Sequence, residues 1–144
     1  MIPITEEQYF AAHPDSAEIT EEMRSAARVI ISKANALLAR AEAQGVVLEV
    51  NQHKDSPHFG THISGQGNGA HRLQSCAIGA PKSKHKTANA IDICDRSGKL
   101  DAWCDANKDA LKEEGVGREA PSATEGWCHW QNGPSASGNW TFIP

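Results

Sequence analysis

Hydrophobic residues recur every three or four positions over much of the first third of the chain. This spacing puts one apolar stripe on a long helix that ends at Gly45. The stripe consists of Ile19, Met23, Ala27, Ile30, Ala34, Leu37 and Ala41. Asp15 and Glu18 have the spacing of a capping box, so we expect the helix to start there. It is expected to be a core-forming scaffold.

Two further segments have helical patterns. Thr5 to Ala12 is predicted as a short helix, because Thr5 and Gln8 also have capping-box spacing. His13 ends it, since a residue that precedes proline avoids helical angles. Leu100 to Glu114 is predicted as the second good helix, closed by Gly115.

The strand signals lie in the later part of the chain. The stretch 51–80 is rich in Gly, Ser and Asn and is expected to be mostly loop. Strands are predicted at Val46 to Val50, near Thr61 to Ser64, at Asn89 to Ile93, at Gly126 to Gln131 and at Asn139 to Ile143. This order predicts an α+β fold, with a small antiparallel sheet packed against N-terminal helices and one later helix.

Length, charge and composition exclude several classes of protein. A chain of 144 residues fits a single domain, 1–144. Fourteen basic and 18 acidic residues give a net charge of −4, which lacks the basic field of nucleic-acid binders. No apolar run approaches the ~20 residues of a membrane span.

The acidic N-terminus does not resemble a secretory signal, so synthesis in the cytoplasm is expected. The cysteines form no CxxC pair and are expected to be reduced, buried thiols.

The candidate chemistry comes from histidines. His85 precedes Asp92 by seven residues, and His129 lies in a later predicted strand. One carboxylate and two imidazoles can bind Zn²⁺ and leave a fourth position for water, whose pKa zinc can lower to about 7. Trp127 and Gln131 share a strand face with His129, where they would wall the site and orient a ligand. A plain His85–Asp92 hydrogen bond in a metal-free core is the alternative.

The residues around these candidates resemble the signature of the M15 peptidases. That family shows S-x-H-x-x-G-x-A-x-D followed later by a Trp–His segment. It includes D-Ala-D-Ala carboxypeptidases, vancomycin-resistance dipeptidases and phage L-alanyl-D-glutamate endolysins, with the Hedgehog signalling domain on a related fold. The resemblance covers about 61–144, while the N-terminal helical part is about 1–45. It implies that the zinc ligands are His85, Asp92 and His129. The matching positions are Ser83, His85, Ala90, Asp92, Trp127 and His129.

The chain departs from that signature in two places. Ala88 stands where the family has Gly. Many members place a general-base Glu three residues before the last His, but Glu125 lies four before His129. In an extended strand that offset is about 13 Å, unless Gly126 bends the chain. Glu119 is the other candidate base; we favour Glu125 slightly, and a site without a base is the third case.

Positive groups are expected near the site. The family holds an oxyanion or a substrate carboxylate with an Arg before the first His ligand, and Arg72 is the nearest match. A solvated surface Arg is the alternative for this residue. Lys82, Lys84 and Lys86 are expected to form an exposed basic stretch that could attract anionic wall components. The remaining histidines have no defensible spacing partner, and only His71, beside Arg72, is a candidate to line the site.

The resemblance implies a zinc-dependent peptidase that cuts peptidoglycan stem peptides, as a carboxypeptidase or an endopeptidase. A phage endolysin, reaching the cell wall after holin release, is the expected setting. Its partner would be a stem peptide, with neither nucleic acid nor membrane. The alternative is a non-catalytic, zinc-stabilised binding or virion module of the same fold. The sequence does not specify the bond cleaved, phage or bacterial origin, or the oligomeric state.

Overall fold

The structure, a computed structural model, describes residues 1–78 and 82–144. Within these two ranges, four α-helices and four strands form an α+β fold, as predicted. The helices are α1 (Glu6–Tyr9), α2 (Glu21–Ala43), α3 (Lys99–Ala106) and α4 (Lys108–Glu114). The strands are β1 (Ala90–Cys94), β2 (Val116–Glu119), β3 (Trp127–Asn132) and β4 (Thr141–Phe142). Lys84–Thr87 and Pro121–Ala123 are 3₁₀ helices. No helix of the described ranges is long and apolar enough to cross a membrane.

The four strands form one mixed sheet in the order β1-β3-β2-β4. β3 is antiparallel to both β1 and β2, whereas β4 runs parallel to β2. The prediction of an antiparallel sheet is therefore wrong for β4. After β3, the chain passes the start of β2, where the Gly133 amide donates to the Gly115 carbonyl at 3.0 Å. It then returns on the far side of β2, so the two strands share a direction.

The two faces of the sheet have different roles. Alternate residues of β1 and β3 are apolar and fully buried against the helices, and α2 contacts both strands. The opposite face carries the polar side chains Asp92, His129 and Gln131. The sheet thus separates the core from the candidate site. The apolar face consists of Ile91, Ile93, Cys128 and Trp130.

The N-terminal helices are confirmed with shifted boundaries. The Thr5–Gln8 capping box is present, although α1 is only four residues long. The capping box predicted at Asp15 is wrong. Thr20 caps α2 instead, since its hydroxyl accepts from the Met23 amide at 3.1 Å. The Asp15 region lies in the turns that connect α1 with α2.

The segments around the sheet differ more from the prediction. Residues 46–50 form no strand, and the strand near Thr61 to Ser64 is reduced to one bridge between Ile63 and Ile93. The expected helix over 100–114 breaks at Asn107, whose φ of −129° and ψ of 40° are not helical. Gly115 closes α4 in the left-handed conformation, as expected. Residues 51–78 contain no helix or strand apart from the bridge at Ile63, as the loop prediction for 51–80 expects. Residues 79 and 80 lie outside the described residues.

An ion-pair cluster around the buried Arg118 attaches β2 to α3. The Arg118 guanidinium donates to Asp101 at 2.7 Å and to Asp105 at 2.6 Å, and only 1% of the Arg118 side chain is exposed. On the side of the sheet that faces the helices, the sulfur atoms of Cys104 and Cys128 are 3.8 Å apart, and both residues are free thiols. All four cysteines are free, and Cys94, Cys104 and Cys128 are buried, but Cys76 is only half-buried, so the expectation of buried thiols is wrong at that position. The cluster fixes the strand that ends at Glu119.

Candidate metal centre

Two of the three predicted ligands meet because they are partners across two strands. Asp92 of β1 lies directly opposite His129 of β3 in the antiparallel register. Side chains at such positions project from the same face with Cβ atoms about 5 Å apart. The Asp92 Oδ1 and His129 Nδ1 atoms are 2.9 Å apart as a result.

The third ligand comes from the 3₁₀ helix before β1. The Ser83 hydroxyl caps this helix by accepting from the His85 amide at 3.3 Å. Ala88 ends it with φ 61° and ψ 31°, a left-handed conformation that favours glycine. Ala88 therefore follows a backbone path that favours glycine, the residue that the M15 signature has at this position. That path directs the chain from His85 into β1.

The three side chains form a group that could hold a metal ion. One ligand atom from each of His85, Asp92 and His129 lies within 4.8 Å of the others, and all three residues are buried. Asp92 Oδ1 is 3.2 Å from His85 Nε2 and 2.9 Å from His129 Nδ1. Ligands of a tetrahedral ion with bonds near 2.0–2.1 Å are separated by about 3.3 Å. The spacing therefore suits a small divalent cation.

The outer nitrogens of both imidazoles also have partners. His85 Nδ1 lies 2.8 Å from the Ala70 carbonyl, which can only accept, so this nitrogen carries the proton. His129 Nε2 lies 3.0 Å from Gln131 Oε1. Metal-binding histidines typically donate their outer N–H to such oxygens. The inner nitrogens of His85 and His129 are therefore directed towards Asp92.

Charge is concentrated at Asp92. Burial favours its neutral acid, but the positive charge of His85 and hydrogen bonds from His129 and His85 outweigh it. The pKa of Asp92 therefore lies well below its usual range. Burial opposes the protonation of His129, yet the hydrogen bond and charge of Asp92 raise the pKa of His129 above its usual value. A carboxylate that stays ionised is a suitable anionic ligand.

Glu119 lies beside this group. It ends β2, one residue beyond the Arg118–Trp130 pair, and its Oε1 is 3.9 Å from His129 Nδ1. Asp92, His129 and Glu119 thus occupy three adjacent strands. Sequence reasoning missed β2, which supplies the second candidate base.

Glu125 lies elsewhere. It lines a separate surface depression with Arg96, Asp101 and Asp105. Gly126 does adopt the left-handed conformation, with φ of 97°, but the resulting bend does not bring Glu125 to the three ligands. The preference for Glu125 over Glu119 therefore has no support in the geometry.

The predicted cations divide into two groups. Arg72 faces the site, with Nη2 at 3.6 Å from Asp92 Oδ2, and Lys82 and Lys84 line the same cleft as exposed residues. Lys86 is buried, with 5% exposure, so the prediction of an exposed stretch is wrong at this position. The 3₁₀ helix causes the difference, because it turns successive side chains in different directions.

The ligand group opens into a cleft of about 1040 Å³. Trp127 lines it as expected, and the C-terminal residues Phe142 and Ile143 add apolar surface that sequence reasoning missed. Glu119 and Gln131 also face this space. The volume is sufficient for a short peptide next to the three ligand side chains.

The other histidines lie outside the cleft. His71 is buried and bonded to His13, so it does not line the site. His62 Nδ1 donates to the Glu49 carbonyl at 2.6 Å, and His53 is exposed. His58 is fully buried.

Burial of His58 makes the protein sensitive to acid. Burial lowers the pKa of His58 to about 4, against an ordinary value near 6.5. As the pH falls between these values, the unfolded chain takes up a proton that the folded chain does not. The free energy of unfolding therefore falls by up to about 3 kcal/mol for this residue.

His58→Leu should remove the part of the acid-dependent fall in the free energy of unfolding that His58 causes. Urea unfolding of the metal-free protein at pH 7 and pH 4.5 measures this fall. His53→Ala, at an exposed histidine, should keep the full wild-type loss. An equally large loss in His58→Leu and wild type would contradict the assignment.

Comparison with protein-family models, curated proteins and solved structures finds no match to this chain.

Proposed function

We propose that this chain is a zinc-dependent peptidase that hydrolyses peptide bonds in peptidoglycan stem peptides. One observation supports it most strongly: three convergent metal-ligand atoms with a carboxylate, Glu119, beside them at the base of an open cleft. The substrate class, and the phage endolysin setting, depend on the resemblance of the segment from Ser83 to His129 to the M15 peptidases.

Zinc is the proposed ion because of the ligand chemistry. Two imidazoles and one carboxylate are typical of catalytic zinc sites with an open position, and both outer histidine nitrogens are hydrogen-bonded. When bound, Zn²⁺ supplies Lewis-acid activation of water and of the substrate carbonyl. His85, Asp92 and His129 would hold it.

Glu119 is the proposed general base. Its carboxylate would accept a proton from the attacking water and return it to the amine nitrogen when the peptide C–N bond breaks. Its position, 3.9 Å from His129 Nδ1, is close enough to reach a water held at the ligand group. Glu125 has no comparable position.

Arg72 is proposed to bind negative charge on the substrate. Its guanidinium is positioned by donation from Nε to the Asn68 carbonyl at 2.7 Å, and it faces the cleft beside Asp92. A fixed cation at this place would stabilise the oxyanion or a substrate carboxylate. Trp127 and Phe142 supply apolar walls that would orient the peptide.

Digestion of purified murein, followed by mass spectrometry of the products, tests the proposal. We expect new peptide termini, loss of cleavage when a chelator removes the metal, and recovery with added Zn²⁺. The mass of the products also identifies the bond cleaved. Tight zinc binding without cleavage of murein or of a D-Ala-D-Ala peptide would favour the non-catalytic module instead. Absence of both would favour a metal-free domain.

A further inference from the structure

A four-residue segment behind the ligands, residues 69–72, contacts two of them through its backbone. We call it the strap. The Gly69 carbonyl accepts from the Asp92 amide at 2.7 Å, and the Ala70 carbonyl accepts from His85 Nδ1 at 2.8 Å. The Arg72 amide donates to the His85 carbonyl at 3.1 Å. The strap therefore sets both the place of Asp92 and the ring orientation of His85.

The strap is closely confined on the side of residue 64. A Cβ atom on Gly69 would lie 2.0 Å from the Ser64 carbonyl oxygen, so only glycine fits there. The Ser64 amide itself donates to the Asp92 carbonyl at 2.8 Å. These contacts hold the Gly69 end of the strap, and His71 lies towards its other end.

That other end is attached to the N-terminal segment. His71 Nδ1 and His13 Nε2 are 2.8 Å apart, and their rings meet edge-on with centroids 4.8 Å apart. The His71 ring also packs against Phe10, with centroids 5.5 Å apart. From the same segment, the Tyr9 hydroxyl donates to the Ala90 carbonyl of β1 at 2.7 Å. The N-terminal segment thus contacts both the strap and the strand that carries Asp92.

We propose that His13 and His71 are positioning residues for the metal centre, whose hydrogen bond holds the strap so that the Ala70 carbonyl orients His85 for metal binding. This inference depends on the proposed zinc site. The chain of contacts runs from His13 to His71, along the backbone to Ala70, and from its carbonyl to His85. Neither His13 nor His71 touches the cleft.

The test compares His13→Ala with wild type in binding of Zn²⁺, measured by competition with a chromophoric chelator. Outer partners of metal ligands typically change affinity 10–100-fold. Since His13 acts one contact further out, we expect about tenfold weaker binding. His13→Gln keeps a hydrogen-bonding group towards His71 and should recover most of the affinity. His53→Ala, at an exposed histidine, is the matched control and should bind as wild type does.

A second readout separates positioning from a loss of stability. The visible spectrum of the Co²⁺-loaded protein reports ligand geometry, and we expect it to change in His13→Ala but not in His53→Ala. The thermal melt of each metal-free variant gives its folded fraction at the titration temperature. Weaker binding that this fraction fully explains, with an unchanged Co²⁺ spectrum, would overturn the inference.

The inference and the proposed function can fail separately. If wild type binds no Zn²⁺, the zinc site itself is rejected and the positioning role with it. If wild type binds Zn²⁺ and His13→Ala binds it equally well, the site stands and the positioning role is rejected. Should His13→Ala not fold, His71→Leu, which has a similar size but cannot form the hydrogen bond to His13, is measured in its place by the same criteria.

Discussion

Replacing Glu119 with Gln is expected to lower the rate of stem-peptide hydrolysis by about 10²–10⁴-fold, the usual contribution of a positioned general base. The amide has nearly the shape of the carboxylate but cannot accept the proton of the attacking water. Because Glu119 lies 3.9 Å from His129 Nδ1 and is not one of the three converging ligands, zinc content should stay at the wild-type level. Product release from murein and metal analysis of the same preparation measure both quantities.

Glu125→Gln is the matched control. Glu125 lies in the connection between β2 and β3 and lines a depression away from the cleft, so its variant should keep wild-type turnover. Loss of rate in Glu125→Gln, with Glu119→Gln fully active, would assign the base to Glu125 and imply rearrangement around Gly126. Full activity in both variants would exclude either residue as the base.

The three candidate ligands were predictable through the resemblance to the M15 signature, because the seven-residue spacing of His85 and Asp92 also fits a hydrogen-bonded core. The strand pattern supports their convergence. Asp92 lies in a clearly alternating strand, and His129 lies in another, so both point to one sheet face once the strands pair. Ala88 stands where the M15 signature has glycine. Its φ of 61° lies in the left-handed region, which glycine adopts more readily than alanine.

The position of Glu119 was not accessible because β2 contains glycine and follows a helix closed by glycine. Glycine is depleted in strands, so this segment predicts a turn and not a strand. Gly117 is required there, since a Cβ atom would lie 2.2 Å from the Gly133 carbonyl oxygen. A glycine within a short strand often marks a place where another backbone approaches closely. Gly117 is the one feature of this segment that pointed to such a strand. The register that puts Glu119 beside His129 is set by the pairing of β2 with β3, and the sequence of β2 does not predict that pairing.

The strap illustrates a different limit. Residues 69–72 have no hydrophobic period and form no regular element, so no pattern predicts where their carbonyls point. Their arrangement comes from hydrogen bonds to β1, to His85 and to His13, all distant in the sequence. The same reason explains the error at residues 46–50, where a β-type composition lacks a partner strand.

Replacing Asp92 with Asn is expected to weaken zinc binding by about 100-fold or more. The variant removes the single anionic ligand while keeping the side-chain size, and a neutral amide oxygen is a poor ligand for Zn²⁺. It also removes the charge that Arg72 faces at 3.6 Å and that both imidazoles approach. Some loss of stability, about 1–3 kcal/mol, should therefore appear even without metal.

Thermal melts with and without chelator separate these two effects. With free Zn²⁺ at about 1,000 times the Kd, binding stabilises the wild type by about 4 kcal/mol, so chelation should lower its Tm by about 10 °C. Asp92→Asn should start lower and shift little on chelation, whereas Asp55→Asn, in an exposed loop, should behave as wild type. An equal chelator shift in Asp92→Asn and wild type would show that the ion binds elsewhere. In that case Asp92, His85 and His129 would form only a hydrogen-bonded core, and the proposed zinc peptidase activity would be rejected.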